Sequence, residues 1–184
     1  TNFTYMAVVE KDVYANQFVM GVEDHWAEPY MRNLFSRGLM RGDLSGNMNP
    51  NKNITRAEFV SIINRAFGYK KQGNTPFKDI KGTEWYAEDI AIAYNQGYFS
   101  GNGKNQSYAN GYLTREQAVS LLCRNIKLEE ISGENFSFLD SRSIENWSRG
   151  YVNAATQKGY VSGYEDRTFK PKKYITRGEA AKIF

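Results

Sequence analysis

The chain has 184 residues, with 24 Lys and Arg against 20 Asp and Glu and a net charge of +4 at pH 7. No stretch approaches the roughly 18 consecutive apolar residues that a membrane-spanning helix needs, so membrane insertion is excluded from the expectations. The small positive charge favours an anionic partner only weakly, and the basic residues are spread along the chain, which argues against a nucleic-acid binder.

The first 17 residues stand apart from the rest. We expect an N-terminal extension or the end of a preceding domain there, because Phe3 to Val9 is rich in β-branched and aromatic residues and could form a strand. The chain starts at Thr1 rather than Met, and we expect it to be a fragment of a longer protein.

From residue 18 onward, one unit of about 60 residues is used three times, over 18–69, 75–128 and 136–184. In each copy a Trp is followed after 12 residues by a Gly, after four more by a second Gly, and 29 residues after the Trp by Thr-Arg. A unit of this size buries only a modest share of its surface alone, so the three copies are expected to share a core. The repeated residues are Trp26, Gly38, Gly42, Thr55 and Arg56; Trp85, Gly97, Gly101, Thr114 and Arg115; and Trp147, Gly159, Gly163, Thr176 and Arg177.

Each copy is predicted to be helix, loop, helix. The first helix begins near the Trp, has an apolar face at the fifth and eighth residues after it, and ends at the first Gly, where a left-handed backbone costs glycine little. The second helix begins at the Thr and carries an apolar stripe, and the third copy is expected to be truncated in this helix. The predicted buried residues are Met31, Leu34, Phe59, Ile62 and Ile63; Ile90, Ala93, Ala118, Leu121 and Leu122; and Val152, Ala155, Ala180, Ile183 and Phe184.

The second helices open with a capping box. In this motif a threonine hydroxyl accepts from a first-turn amide, while a Glu or Gln three residues later reaches back to the backbone of the cap. A full structural role is therefore available to Thr55 with Glu58, Thr114 with Gln117, and Thr176 with Glu179.

The repeated arginine needs another explanation, because a cation at the first helical position is mildly unfavourable beside the positive end of the helix dipole. One alternative is a buried salt bridge to a neighbouring repeat. The other is an anionic ligand held by the guanidinium fork together with free helix amides. Local chemistry leaves both open. The tryptophans favour a core position, although a Trp at the edge of a groove could also stack on a sugar.

Other kinds of site have little support. His25 is the only histidine, so neither a His-rich metal site nor a catalytic dyad is expected. The lone Cys123 is interpreted as a small core residue. A glycosidase would need paired carboxylates, and no spacing marks a pair among the available Glu116, Glu165, Asp166 and Glu179. We predict no metal, no cofactor and no enzymatic activity.

The repeated motifs resemble a triplet of S-layer homology domains, the modules that anchor bacterial surface proteins to the cell wall. Residues 25–27 read His-Trp-Ala, residues 77–79 and 138–140 read Phe-x-Asp, and residues 163–171 match the family's loop, which ends in Thr-Phe-x-Pro. The repeats end in Ile-Thr-Arg-Ala-Glu at 54–58, Leu-Thr-Arg-Glu-Gln at 113–117 and Ile-Thr-Arg-Gly-Glu at 175–179.

The resemblance implies a mainly α fold, with three helix-loop-helix repeats in a pseudo-three-fold arrangement around a central three-helix bundle. It also implies an extracellular location at the cell wall or surface layer, as one part of a larger surface protein. The implied ligand is a wall polysaccharide, often with pyruvate ketals on an amino sugar, bound in grooves between repeats. The implied ligand-binding residues are Arg56, Arg115, Arg177, Trp26, Trp85, Trp147, Gly42, Asp43, Gly101, Asn102, Gly163 and Tyr164.

Several departures from the family pattern make the three grooves unequal. Met20 stands at the Asp position of the first Phe-x-Asp motif, Gln117 replaces the capping Glu in the second repeat, and Arg167 replaces a loop Gly in the third. We expect one or two grooves to bind strongly and the rest weakly or not at all. The alternative function is a structural or self-association module of a surface layer, with the arginines in salt bridges between repeats.

Overall fold

The chain folds as three helix-loop-helix units, described by a computed structural model over residues 19–70, 73–133 and 138–184. The predicted extension over 1–17, including its possible strand, lies outside the described residues. Within the described part the elements are α-helices, one short 3₁₀ turn at Ser141–Ser143 and isolated β-bridge pairs, which confirms the predicted mainly α fold. The helices are α1 (Glu28–Ser36), α2 (Arg56–Ala66), α3 (Ala87–Asn95), α4 (Arg115–Asn125), α5 (Asn146–Gln157) and α6 (Arg177–Ile183).

The first helix of each unit ends as predicted, at a left-handed glycine. Gly38, Gly97 and Gly159 have φ angles of 68°, 82° and 71°. After α1 the Gly38 N–H donates to Phe35 O at 2.8 Å and the Leu39 N–H to Leu34 O at 2.8 Å, a pair of bonds that satisfies two of the last helical carbonyls. A residue with a Cβ would adopt this conformation only with strain.

The second helix of each unit begins at the predicted threonine cap. In α2 the Thr55 hydroxyl accepts from the Glu58 amide at 3.2 Å and Glu58 Oε2 accepts from the Thr55 amide at 2.8 Å. The same two bonds join Thr176 and Glu179 at α6. At α4 the returning half is formed by Gln117 Oε1, which accepts from the Thr114 amide at 3.1 Å.

The residues that precede the three caps are joined by a closed triangle of backbone hydrogen bonds. Ile54 N–H donates to Ile175 O at 3.0 Å, Ile175 N–H to Leu113 O at 3.0 Å, and Leu113 N–H to Ile54 O at 3.1 Å. All three side chains are fully buried. Each repeat therefore donates to one neighbour and accepts from the other, and the starting points of α2, α4 and α6 are fixed relative to one another.

Helix contacts pass from each repeat to the next in the same cyclic order. α2 packs on α3, α4 packs on α5, and α6 packs back on α1. The Phe59 ring on α2 also lies 5.3 Å from the Phe184 ring, centroid to centroid. These contacts are the ones a pseudo-three-fold arrangement requires, while the mutual packing of α2, α4 and α6 as a central bundle stays a prediction.

The apolar residues predicted to be buried are all buried. They do not form one core, however. The larger cluster joins repeats one and two with α6, while a second cluster lies between α4 and α5 and is built from Val119, Cys123, Phe138, Ile144, Val152, Ala155, Val161 and Phe169. Cys123 is thus a core residue, as interpreted from the sequence, and burial raises the pKa of its thiol to about 12. No helix in the described ranges is both long and apolar enough to cross a bilayer.

Each loop between the helices contains a left-handed residue four positions after its second glycine. The residues at this position are Gly46, Asn105 and Arg167, with φ angles of 85°, 55° and 61°. Arg167 N–H closes a turn onto Tyr164 O at 2.9 Å, just as Gly46 N–H closes one onto Asp43 O at 2.9 Å. The third repeat therefore has a long exposed side chain on a backbone that favours glycine.

Replacing Arg167 by Gly is expected to stabilise the fold. A left-handed L-residue destabilises the folded state by about 1–2 kcal/mol, and glycine removes this cost. Glycine also raises the entropy of the unfolded chain, which opposes folding by about 0.5–1 kcal/mol. The free energy of unfolding should therefore rise by roughly 0.5–1 kcal/mol. The reverse change at the matched position, Gly46→Ala, should lower it by about 1 kcal/mol. Urea denaturation of both variants measures this, and a loss of stability in Arg167→Gly would contradict the assignment of strain.

Candidate functional site

Three surface grooves each draw their lining from all three repeats. In every groove, one repeat supplies the arginine, the next supplies the second glycine with its loop and second helix, and the third supplies the tryptophan. We number the grooves by the repeat that supplies the loop. The first groove contains Arg177, Gly42 and Trp85; the second contains Arg56, Gly101 and Trp147; and the third contains Arg115, Gly163 and Trp26.

The grooves differ in size. The second has a volume of about 520 Å³, the third about 320 Å³ and the first about 250 Å³. The predicted site residues Asn102 and Tyr164 line the second and third grooves, whereas Asp43 does not line the first. Thus an Arg, a Gly and a Trp meet in every groove, but the three come from three different repeats rather than from one.

The helix amides are not available to a ligand, contrary to the expectation of free amides beside the arginine. At α2 the Arg56 N–H donates to Gly111 O at 2.9 Å and the Ala57 N–H to Ala109 O at 2.8 Å. The first two amides of α4 and α6 donate in the same way to carbonyls of a neighbouring repeat. The amides that usually make a helix start an anion site are used here to join repeats, so only side chains are left to pair with an anion at these helix starts.

Arg177 in the first groove is paired within the protein. It is only 6% exposed, and its Nη1 lies 2.9 Å from Glu58 Oε1 of the first repeat. Its Nε donates to Met48 O at 2.9 Å and its Nη2 to Arg41 O at 2.6 Å. This arrangement is the inter-repeat salt bridge that one reading of the sequence proposed.

Arg56 in the second groove has a different environment. Its Nε donates to Ser107 O at 3.0 Å, and its guanidinium lies over the Phe99 ring, 4.7 Å from the centroid. Burial lowers its pKa, and the charge of nearby Asp79 opposes that effect. No Asp or Glu among the described residues lines this groove, and neither Arg56 Nη atom bonds to a residue in the described ranges.

Arg115 in the third groove has an environment between those of Arg177 and Arg56. Its Nη2 donates to Ser162 O at 2.7 Å, and the guanidinium lies 4.9 Å from the Tyr164 ring centroid and 5.0 Å from that of Phe169. Its Nε is buried and, in the part of the chain that the structure describes, has no hydrogen-bond partner. Arg177 is therefore an example of the salt-bridge reading, whereas Arg56 and Arg115 face open grooves and the ligand reading stays a prediction for them.

The residue at the third position of each second helix accounts for this difference. In the first groove Glu58 uses one carboxylate oxygen for the cap and the other for Arg177. In the third groove burial of Glu179 opposes its ionisation, but the bond from Lys173 at 2.7 Å keeps its pKa lowered, and Tyr164 also donates to it. In the second groove the residue is Gln117, which caps the helix without bringing a negative charge.

The groove glycines are required by close packing of the loop on itself. A Cβ at Gly42 would lie 2.8 Å from Gly46 O, and a Cβ at Gly163 would lie 2.7 Å from the Phe138 ring. The loops are further held by side-chain acceptors. Asp43 accepts from the Ser45 hydroxyl at 2.6 Å and from the Asn49 side-chain amide at 2.8 Å. These bonds, with that from the Asn47 backbone amide at 3.0 Å, hold the pKa of Asp43 well below the usual range.

The expectation that the tryptophans favour the core was wrong. Trp26, Trp85 and Trp147 are 51%, 62% and 43% exposed. Each stands at the start of a first helix, and the apolar positions five and eight residues later already fill the core below it. The rings are therefore free to form groove walls.

Several residues of the second groove escaped the sequence argument. Arg124 provides a second cation there, and Ser120 is 1% exposed with a hydroxyl that bonds to nothing in the described ranges. The matching Ser61 of the first groove is instead bonded to Asp89. Tyr108, Tyr112 and Tyr174 complete the wall. The only signal was positional, because an Arg stands ten residues after the cap Thr in both of the first two repeats.

His25 and Glu116, which lie outside the grooves, have structural roles. His25 Nδ1 accepts from the Ala27 amide at 3.1 Å near the start of α1, and its Nε2 contacts Asn51. Glu116 is buried and accepts from Ser148, from the Glu145 amide and from Lys172. Within the described ranges no three His, Cys, Asp or Glu side chains are grouped as metal ligands would be.

Comparison with known proteins finds one family. The sequence profile of the S-layer homology domain matches residues 21–60, 76–119 and 137–181, which together make up more than half of the chain. Each matched segment lies within one of the three predicted repeats, whose outer boundaries stay a prediction.

Similar curated proteins are much longer than this chain. An amylopullulanase of Thermoanaerobacterium thermosulfurigenes is 35% identical over 100% of this chain but only 10% of its own length. A surface-layer 125 kDa protein of Lysinibacillus sphaericus is 32% identical over 86% of this chain and 14% of its own. A cellulosome-anchoring protein of Acetivibrio thermocellus is 28% identical over 78% of this chain and 34% of its own length. The chain thus spans well under two thirds of each of these relatives.

Removing the paired arginine should cost more stability than removing an open one. Arg177→Ala leaves Glu58 partly buried without its partner and is expected to lower the free energy of unfolding by about 2–3 kcal/mol, somewhat below the full cost of breaking a buried pair because Glu58 is partly exposed. Arg115→Ala, which breaks no ion pair with a described carboxylate, should cost about 1 kcal/mol. Chemical denaturation compares them, and equal losses would mean that the Arg177–Glu58 pair contributes nothing specific.

Proposed function

The chain belongs to the S-layer homology domain family, and we propose on that basis that it is a non-catalytic module that tethers a larger exported protein to the bacterial cell wall by binding an anionic wall polysaccharide. The family, shared with surface-layer proteins, places the chain at the cell wall and surface layer. The name of the cellulosome-anchoring relative is in keeping with a tethering role.

The groove chemistry supports binding rather than catalysis. Glycoside hydrolysis uses two carboxyl groups about 5–10 Å apart across the scissile bond. Among the described residues, the first and third grooves each have one lining carboxylate, Glu58 or Glu179, and both are already engaged with a cap and a cation. The relatives that are named as enzymes match this chain over a small fraction of their length.

The second groove is the proposed principal site, and the observation that carries this is that both Nη atoms of Arg56 are without a hydrogen-bond partner among the described residues. The groove is the largest of the three, holds two arginines and has no lining carboxylate among the described residues. A guanidinium whose Nε is fixed by Ser107 O presents its Nη atoms in a defined direction, which suits bidentate recognition of a carboxylate.

A pyruvate ketal on an amino sugar supplies a ligand of the matching kind. Its carboxylate would pair with Arg56, and Arg124 adds a second positive charge on the same groove. Trp147 and Tyr108 are 43% and 53% exposed and offer apolar faces with polar edges, against which a sugar ring can pack. The buried hydroxyl of Ser120 would gain its missing hydrogen bond from a sugar oxygen.

The structural alternative applies to one groove. Arg177 is enclosed by Glu58 and two carbonyls, so the first groove is proposed to hold the third repeat against the first rather than to bind a ligand. The third groove keeps Arg115 but also contains Glu179, and it is proposed to bind more weakly than the second.

Calorimetric titration with a pyruvylated wall disaccharide, beside the same sugar without pyruvate, tests the proposal. Binding should require pyruvate. Gln117→Glu should weaken it about tenfold or more, because the new carboxylate can pair with Arg56 as Glu58 pairs with Arg177. This variant should keep the fold, because the residue at this position accepts from the cap amide in both forms, as Glu58 does from Thr55 and Gln117 does from Thr114. Arg56→Ala should reduce binding at least as much.

The matched control is Glu58→Gln in the first groove, which exchanges the same two side chains in the opposite direction. It should leave the affinity of the strong site unchanged. Equal losses for Arg56→Ala and Arg115→Ala would overturn the ranking of the grooves, and equal affinity for both sugars would overturn the arginine–carboxylate mechanism.

A further inference from the structure

Two exposed tyrosines meet in the lining of the second groove. Tyr112 is 46% exposed and Tyr174 is 49% exposed, and their ring centroids lie 5.7 Å apart at an interplanar angle of 60°. Both rings line the same groove as Arg56. Exposed aromatic side chains that line a groove together are more often part of a binding surface than single scattered apolar residues are.

The position of this pair is fixed by the backbone. Tyr112 is bridged to Thr55, and Tyr174 is bridged to Thr114, so each ring stands next to one corner of the hydrogen-bond triangle. Neither phenol hydroxyl has a hydrogen-bond partner among the residues that the structure describes. The two rings therefore form a platform held in place by the fold, with polar groups still available to a ligand.

The pair can occur in only one of the three grooves. Tyr112 and Tyr174 each stand two residues before a cap threonine, and the residue at this position in the first repeat is Asn53. Two aromatic rings therefore meet only where repeats two and three adjoin. The first and third grooves have neither ring in their lining.

We infer that the Tyr112–Tyr174 pair is a second sugar subsite, which stacks on the apolar face of the neutral hexose or hexosamine ring next to the anionic sugar. The inference rests on the proposed function of the second groove. A pyranose ring has one face made mainly of C–H groups and hydroxyls at its edge, which suits the apolar face and polar tip of tyrosine. At about 520 Å³ the groove lies within the range of 300–1,000 Å³ that holds ligands larger than one sugar ring. The bound polymer would thus contact both Arg56 and the tyrosine pair in the second groove.

The subsite predicts an affinity that depends on glycan length. Wild-type protein is titrated with the pyruvylated monosaccharide and with the pyruvylated disaccharide, in which the neutral ring is present, and the disaccharide is expected to bind about five- to tenfold more tightly, the order of effect of one well-placed aromatic contact. Tyr112→Ala and Tyr174→Ala should each remove most of this gain, so that the two glycans bind these variants with nearly equal affinity. Tyr112→Phe, which keeps the ring, should retain the gain.

Trp85→Ala is the matched control, since it removes an exposed aromatic ring from the first groove and should leave the gain intact. Binding of the pyruvylated monosaccharide with no gain from the second ring would overturn the subsite alone, whereas failure of both glycans to bind would overturn it together with the proposed function. Sedimentation velocity tests whether the pair instead joins two copies of the chain. Loss of a wild-type dimer in Tyr112→Ala, with no change in the length dependence, would reassign the pair to contact between copies of the chain.

Discussion

The triangle of hydrogen bonds among Ile54, Leu113 and Ile175 is the constraint on which the rest of the structure depends. It fixes the three residues that precede the capped helices, and therefore fixes where each arginine leaves the backbone. Because the first two amides of α2, α4 and α6 also donate to a neighbouring repeat, the starts of these three helices are satisfied by protein and not by solvent or ligand. A repeat of about 60 residues that cannot bury enough surface alone thus obtains both its hydrogen bonds and part of its core from its neighbours.

The same constraint explains why each groove is assembled from three repeats. The arginine stands two residues after the triangle residue of its own repeat and lines a groove together with the loop of the next repeat. The tryptophan of that groove comes from the start of the first helix of the remaining repeat. A change in a single repeat therefore alters a groove whose other walls belong to different repeats. Gln117 shows the consequence, because it stands where the other two repeats have Glu58 and Glu179. It keeps the bond to the cap amide but brings no negative charge to the groove of Arg56.

The sequence predicted the features that are local in the chain. Helix starts follow from the Thr and the Glu or Gln three residues later, helix ends follow from Gly38 and its equivalents, and the buried face follows from the apolar spacing. The failures concern groups whose partners lie far away in sequence. Nothing near Arg177 indicates that it would meet Glu58 across more than a hundred residues, or that the amides beside Arg56 would be used by Gly111. The exposed tryptophans were misjudged for a related reason, because composition cannot show that smaller apolar residues already fill the core.

Unequal grooves follow from how the chain closes its ring. Repeats one and two, and repeats two and three, are joined by the chain itself, whereas the contact between the third repeat and the first has no covalent link. That contact contains Arg177, enclosed by Glu58 and by carbonyls of residues 41 and 48. A buried ion pair contributes little net stability when its desolvation is counted, but it penalises any arrangement in which one partner is left without the other. Placing it at the unlinked contact selects the closed ring. The linked contacts do not need such a pair, and this leaves Arg56 and Arg115 available for a ligand.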